Sequence, residues 1–285
     1  MGEWAWYHTG VDMKEFALQP RLSGGGKATR VDAETWRLEI PAGPKGHYRL
    51  AQLDDYTRLP RGGFLWRPPF QISWQARASS REMPGTWGFG LWNDPFSASL
   101  GLGGADRRLP ALPEAAWFFF ASPHNYLSFR DDLPAQGFLA ATFRSAPISP
   151  VWLALGSPFL VSLLLPGVSR LARRVARQLV RQDAVLVSVD PTAWHRYSLE
   201  WKEDQVRLGV DGQAILDTAV APRGQLGLVL WIDNQYAAWT PDGRIRLGSQ
   251  ANAEPAWIDL KIFPPFLDNP GSSGKISRHF KNMPR

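Results

Sequence analysis

Apolar and polar residues alternate along most of this chain. Tyr197, Leu199 and Trp201, then Val206, Leu208 and Val210, form two period-two runs separated by the polar Lys202-Glu203-Asp204. Such alternation predicts an antiparallel hairpin with one face turned to a core. Asp211-Gly212 supplies a turn into a further strand, Gln213 to Leu216, since glycine tolerates the positive φ that tight turns need. A hairpin so rich in aromatics cannot bury both faces alone, so it must belong to a larger sheet.

The same period predicts strands at Trp36 to Ile40, around Tyr48 to Leu53, over Phe70, Ile72, Trp74 and Ala76, at Phe138 to Phe143, at Ala184 to Val189, and at Trp257 to Phe263. In Trp87 to Trp92, Gly88 and Gly90 leave room for a close neighbour or a ligand. Ala115 to Ala121 is apolar without a break, the signature of a strand buried on both faces. Along Gln225 to Tyr236, Leu226, Leu228, Leu230 and Ile232 share one face, while Gly227, Val229, Trp231 and Asp233 share the other. One of these faces is expected to be core and the other to line a cleft.

One stretch breaks the pattern. No charge occurs from Ser145 to Ser169, and the apolar run from Val151 approaches the length of a bilayer crossing. Pro158, Pro166 and two glycines interrupt it, and a crossing would split the strands of one sandwich across a membrane. Spanning is therefore not expected. Val168, Leu171, Ala172, Val175, Ala176 and Leu179 then recur at helical spacing, with Arg170, Arg173, Arg174, Arg177 and Arg181 turned elsewhere.

Three readings of this insertion, about 147–182, stay open. Its apolar face packs on the sandwich while its arginines meet water, or it forms a lid or a dimer contact. Alternatively it anchors at a membrane surface, with Trp152, Phe159 and Leu171 among acyl chains and Arg173, Arg174 and Arg177 on anionic headgroups.

Composition narrows the classes. Fourteen Trp, 26 Gly and 24 Pro in 285 residues favour short strands and turns. The expected organisation is an N-terminal strap (1–26), an all-β sandwich (27–265) carrying the insertion, and a flexible basic tail (266–285). Absence of cysteine excludes disulfides and thiolate metal sites. The net charge of +6 is concentrated in Arg170 to Arg181 and Lys275 to Arg285 without a nucleic-acid-binding module, so a solvated basic face is expected rather than a nucleic-acid partner. The first residues lack a basic segment followed by a long apolar one, so a cytoplasmic location is expected, peripheral on a membrane under the anchor reading. Five histidines show no metal-binding spacing, and no phosphate-binding or dinucleotide-binding loop occurs, so neither metal nor cofactor is expected.

The hairpin wording Trp194-His195-x-Tyr197-x-x-x-Trp201 with Val210-Asp211-Gly212 resembles that of the concanavalin A-like lectin/glucanase superfamily, and is similar to family 16 glycoside hydrolases. The resemblance covers Trp36 to Phe263 and implies an all-β jelly-roll sandwich with a carbohydrate cleft. It also implies an E-x-D-x-x-E pattern on the strand at Ala115 to Ala121. Here that place reads Glu114-Ala115-Ala116-Trp117-Phe118-Phe119-Phe120, without the second and third carboxylates, so no catalytic residue carries over. Glu114 is expected to be an exposed loop carboxylate, and His195 a structural histidine of the hairpin.

Candidate chemistry centres on the polar island Asp233-Asn234-Gln235-Tyr236, beside Trp231 and Trp239. Carboxylate and amide groups bond hydroxyls while an indole covers the apolar face of a ring. The competing reading is a turn in which Asp233 or Asn234 caps backbone groups. Asn93, Asp94, His124, Asn125 and Tyr126, at strand ends near the same mouth, form a second set, and Trp92 and Trp117 are further ligand-contact candidates. The expected function is binding of a carbohydrate or glycoconjugate, with catalysis open. A hydrolase needs two carboxyl groups flanking the scissile bond, and Asp233 with Asp94 is the candidate pair. The alternative is a membrane-surface protein taking a lipid or isoprenoid-like ligand in the cleft.

Overall fold

A computed structural model describes residues 18–95 and 108–263, with backbone alone at 156–160. The first part of the expected strap, most of the Gly- and Pro-rich loop after Ser97, and the basic tail lie outside the described residues.

Sixteen strands follow one another among these residues. They begin with β1 (Gln19–Ser23), β2 (Lys27–Arg30), β3 (Thr35–Ile40), β4 (Leu50–Asp54), β5 (Phe70–Ala78) and β6 (Thr86–Trp92). Next come β7 (Ala115–Ala121), β8 (Gly137–Ser145), β9 (Val180–Leu186), β10 (His195–Trp201) and β11 (Val206–Val210). The last are β12 (Gln213–Thr218), β13 (Gly227–Asp233), β14 (Gln235–Trp239), β15 (Ile245–Ser249) and β16 (Ala256–Phe263).

Seven strands in the order β1-β4-β13-β6-β7-β8-β9 make a front sheet, and seven in the order β12-β11-β10-β5-β16-β3-β2 make a back sheet. All pairings within both are antiparallel. The fold is a jelly-roll β-sandwich. Residues 19–23, assigned from the sequence to a strap, are instead the edge strand of the front sheet.

Alternation decides what lies between the sheets. The front sheet turns Trp87, Phe89, Leu91, Phe118, Phe120, Leu228, Leu230 and Ile232 inward, against Ile72, Trp74, Ala76, Tyr197, Leu199 and Trp201 from the back sheet. Rings meet across the interface, Trp74 with Phe89 at 5.3 Å and Phe118 with Tyr197 at 5.0 Å between centroids. Burial of this apolar area is the main favourable term in the fold.

The predicted hairpin is present, with Tyr197 opposite Val210, Leu199 opposite Leu208 and Trp201 opposite Val206. Its turn has positive φ at Asp211 (50°) and Gly212 (82°). His195 bonds the Asp211 carboxylate through Nδ1 at 2.7 Å and the Asp190 carbonyl oxygen through Nε2 at 3.1 Å, so it fixes the turn.

The insertion consists of helix α1 (Pro150–Gly156), a 3-10 segment (Ser157–Leu164) and helix α2 (Pro166–Leu179), which runs directly into β9. Helix α2 corrects the expected orientation. Arg173, expected on headgroups, is buried: Nη1 donates to the Trp239 carbonyl at 2.7 Å, and Nη2 to the Ser128 carbonyl at 3.0 Å and Asp131 at 3.1 Å. Val168, Leu171 and Val175, which one of the three open readings packs on the sandwich, stand exposed. The cause is the surface beneath, which offers carbonyl and carboxylate oxygens that a guanidinium satisfies and a methyl group leaves unpaired. Leu179 alone of the large apolar residues on this helix packs onto the sheet. Arg174 is exposed, Arg177 pairs with Asp131, and the Phe159 side chain lies outside the described residues. No helix among the described residues is long and apolar enough to cross a membrane.

Glu114 also departs from expectation. Its carboxylate is half-buried and accepts from the Ser145 backbone N–H at 2.9 Å and the Arg223 backbone N–H at 2.8 Å, and burial raises its pKa. It ties the end of β8 to the turn before β13. Glu114→Ala should therefore cost about 1–3 kcal/mol in urea unfolding, because two backbone donors lose their acceptor. Glu114→Gln, which keeps one acceptor oxygen, should recover about half of that loss.

Candidate functional site

The outer surface of the front sheet follows from its register. On β13, Gly227, Val229, Trp231 and Asp233 face away from the core, as do Gln52 and Asp54 on β4 and Trp117, Phe119 and Ala121 on β7. Between them, β6 presents Thr86, Gly88, Gly90 and Trp92. Gly88 lies opposite Trp231 and Gly90 opposite Trp117. A Cβ at Gly88 would come within 2.7 Å of Trp231 Cη2, and one at Gly90 within 2.5 Å of Trp117 Cβ. The glycines thus let two indoles lie across the central strand, which answers what their missing side chains make room for.

Three half-buried tryptophans form the resulting platform. Trp92 and Trp231 are parallel within 7° at 6.5 Å, Trp117 lies 5.4 Å from Trp231, and Trp92 lies 5.8 Å from Trp117. Trp231 Nε1 donates to Thr86 Oγ1 at 2.9 Å, and Trp92 Nε1 to the Tyr56 hydroxyl at 2.6 Å. These bonds fix two rings at their polar edge and leave aromatic faces for contact.

Polar groups flank the platform on both sides. Gln52 donates to Asp54 at 2.8 Å and to the Tyr56 hydroxyl at 3.3 Å; Asp54 also accepts from the Thr57 N–H at 2.7 Å and hydroxyl at 2.7 Å. At the opposite end of the strands, Asp233 Oδ1 accepts from the Thr86 N–H at 3.2 Å, the Thr86 hydroxyl at 3.1 Å and the Gln235 N–H at 2.9 Å. Burial pushes the Asp233 carboxyl up to about 7, with these donors opposing the shift.

The structure brings together Trp92, Trp117 and Trp231 with Asp233, as residues of one surface. It separates the candidate catalytic pair. Asp233 pairs with Thr86 at one end of β6, whereas Asp94 follows Trp92 at the other, so about 20 Å of strand lies between them. Carboxyl pairs that flank one glycosidic bond lie roughly 5–10 Å apart. Asp94 is also buried against Arg108, so Asp233 and Asp94 are not a catalytic pair.

Other candidates serve the backbone. Asn234 is fully buried, its amide bonding the Arg49 N–H and the carbonyls of His47 and Gln250, so the capping reading holds for it. Asn93 donates to the Leu112 carbonyl and accepts from the Glu114 N–H. Asn125 bonds the carbonyls of Gly85 and Ser122 and the Ala237 N–H. Trp239 turns to helix α2, donating to Ser169 Oγ at 2.9 Å. His124 and Tyr236 approach within 5.8 Å near the Asp233 end, and Gln235 gives its N–H to Asp233. Tyr126 lies under Arg173, 5.1 Å from the guanidinium carbon.

Gln52, Asp54, Tyr56 and Thr86 were missed in the sequence. Ala51 and Leu53 alternate with Gln52 and Asp54, and that period was the available signal. Among the described residues, no group of three or more His, Asp or Glu side chains is placed to hold a metal ion.

No family model and no curated protein matches the chain. Solved structures do. A GlcNAcα1-4Gal-releasing endo-β-galactosidase from Clostridium perfringens is 11% identical over 88% of this chain, with a TM-score of 0.37; the chain spans 55% of that protein's length. The kappa-carrageenase of Pseudoalteromonas carrageenovora is 11% identical over 89% of each chain, at 0.44. A family 16 endo-glucanase from Bacteroides ovatus is 11% identical over 90% of this chain and 97% of its own, at 0.43. The likeness is one of fold alone. The assignment of the site rests on this chain's own register and contacts.

The raised pKa of Asp233 links stability to pH. Its native form holds a proton up to about pH 7, whereas the unfolded chain releases it near 4, so the native state binds more protons in that window. Stability contributed by the protonated carboxyl is present below about pH 4 and declines as pH rises toward 7. Asp233→Asn keeps the acceptor oxygen and carries no charge. In urea titrations from pH 5 to 8, this variant should lose less stability than the parent, by up to about 1.4 kcal/mol per pH unit below 7.

Proposed function

We propose that the outer surface of the front sheet binds carbohydrate, with Trp92, Trp117 and Trp231 as the stacking platform. The observation that carries this reading is the arrangement of three half-buried indoles within 6.5 Å of one another over glycines of the central strand. Indole faces cover the apolar C–H surfaces of pyranose rings, and neighbouring carboxyl and amide groups bond the hydroxyls around them. Asp233 at one end and Gln52 on the flank are the polar side chains that border this surface, both nearly buried, and fully buried Asp54 holds the Gln52 amide. The occurrence of glycan-active enzymes among the solved structures of similar fold makes β-glucan and galactan oligosaccharides the first probes to try.

The proposal is for binding. Outer positions of β7 carry Ala115, Trp117, Phe119 and Ala121, and Asp233 lacks Asp94 as a partner, so no acid–base pair is assigned. Titration of oligosaccharides against intrinsic tryptophan fluorescence is the direct test. Trp231→Ala should weaken binding about tenfold or more, in line with the 1–3 kcal/mol of a well-placed aromatic contact. Back-sheet Trp257→Ala, remote from the platform, should leave affinity unchanged. Equal affinity in the Trp231 variant and its parent would rule the platform out.

A further inference from the structure

We infer that the outward face of the insertion, Val151 to Val175, is a docking surface for a bilayer rich in anionic lipid. Nine of the fifteen large apolar side chains that stand exposed among the described residues fall in this one segment. Trp152 is 70% exposed, Val161 73%, Leu164 75% and Leu171 61%. A folded chain rarely gathers so much apolar surface in one place unless something covers it.

The orientation is fixed from beneath. Buried Arg173 and Ser169 hold helix α2 to Trp239 and Ser128, so Val168, Leu171 and Val175 cannot roll inward without breaking these bonds. Arg173 also lies against Tyr126, and a Cβ at Gly243 would meet the Pro166 carbonyl at 2.5 Å, so the start of the helix is seated as well. The apolar outward face is thus held in place by polar contacts on the inward one.

Charge selects the occupant. From Ser145 to Gln182 there is no acidic residue, while Arg170, Arg174 and Arg181 are exposed. Asp131, which contacts the helix, is paired with Arg173 and Arg177, and Asp242, beside the seat of its first turn, with Arg244. Apolar side chains flanked by exposed arginines fit acyl chains below a layer of anionic headgroups, and an exposed indole such as Trp152 suits the boundary between them. The surface would lie on the membrane, since no described helix is able to cross it.

Flotation of the full chain with phosphatidylcholine vesicles, with and without phosphatidylglycerol, tests this. The parent should float with the anionic vesicles and lose binding as salt rises. The double variant Leu164→Glu/Leu171→Glu changes only exposed side chains and should weaken association about tenfold or more. Arg170→Gln/Arg174→Gln should weaken it roughly fivefold per arginine near the surface. Both should keep the parent's far-ultraviolet circular dichroism and its glycan binding. Absence of flotation, flotation unchanged in both variants, or a concentration-dependent dimer that the glutamate variant dissolves would each overturn the inference, the last by naming a second copy as the occupant.

Discussion

Strands β7 and β8 are apolar on both faces, and a single opposing sheet buries only one. Phe118, Phe120, Phe138 and Ala140 are spent against the back sheet, leaving Phe119, Leu139, Ala141 and Phe143 on the outside. A second cover is therefore obligatory. It comes from Leu127, Phe129 and Leu133 in the loop between the two strands, and from Leu179 at the end of helix α2. Gln182 on β9 holds that loop by accepting from the Ser128 hydroxyl and the Phe129 N–H. The cover ends over β7, and what it leaves half-buried toward β6 and β13 is the tryptophan platform. The candidate site is thus the unfinished part of a second hydrophobic core.

The same cover explains the insertion. A loop folded across a sheet presents backbone carbonyls at its upper surface, and these need donors. Ser128 and Trp239 offer carbonyl oxygens there, and Asp131 adds a carboxylate. A helix with arginine at this point satisfies all three at once, whereas an apolar stripe would bury them unpaired. Pairing the polar surface decides which face of helix α2 goes down, and hydrophobicity loses because the ground beneath is polar.

Much of the fold was legible because strand pairing repeats every two residues. The hairpin of β10 and β11, the double-faced apolar β7 and the two-faced β13 all follow from local alternation, and so does the common outward face of Trp92, Trp117 and Trp231. What failed were side chains whose partners lie far along the chain. Glu114 finds its donor at Arg223, 109 residues on, and Arg173 reaches Trp239, 66 residues on. Neither has a local signature, so each was read from its neighbours, one as a loop carboxylate and the other as a headgroup contact. Asn93 and Asn234 misled for a related reason. An amide at the end of an apolar strand looks alike whether it serves a ligand or caps backbone groups, and only the Arg49 N–H and the Gln250 carbonyl decide the matter for Asn234.

Asp94 and Asp233 show how register overrides composition. Both are acidic residues at the end of a tryptophan-bearing strand, and both are buried, yet antiparallel pairing of β6 with β13 sends them to opposite ends. Asp94 meets Arg108 and becomes part of an ion pair that also engages Tyr56 and Phe64 through the guanidinium. Asp233 meets only hydroxyl and amide donors, so burial is opposed by hydrogen bonds and by no cation, and its carboxyl rises to about 7. The difference in partner, not in residue type, leaves Asp233 as the group beside the platform able to change its charge near neutral pH. Helix α2 runs directly into β9, the edge strand of the same sheet whose β6, β7 and β13 carry the platform, and Leu179 at its end packs on the same apolar cluster as Trp117 and Trp231.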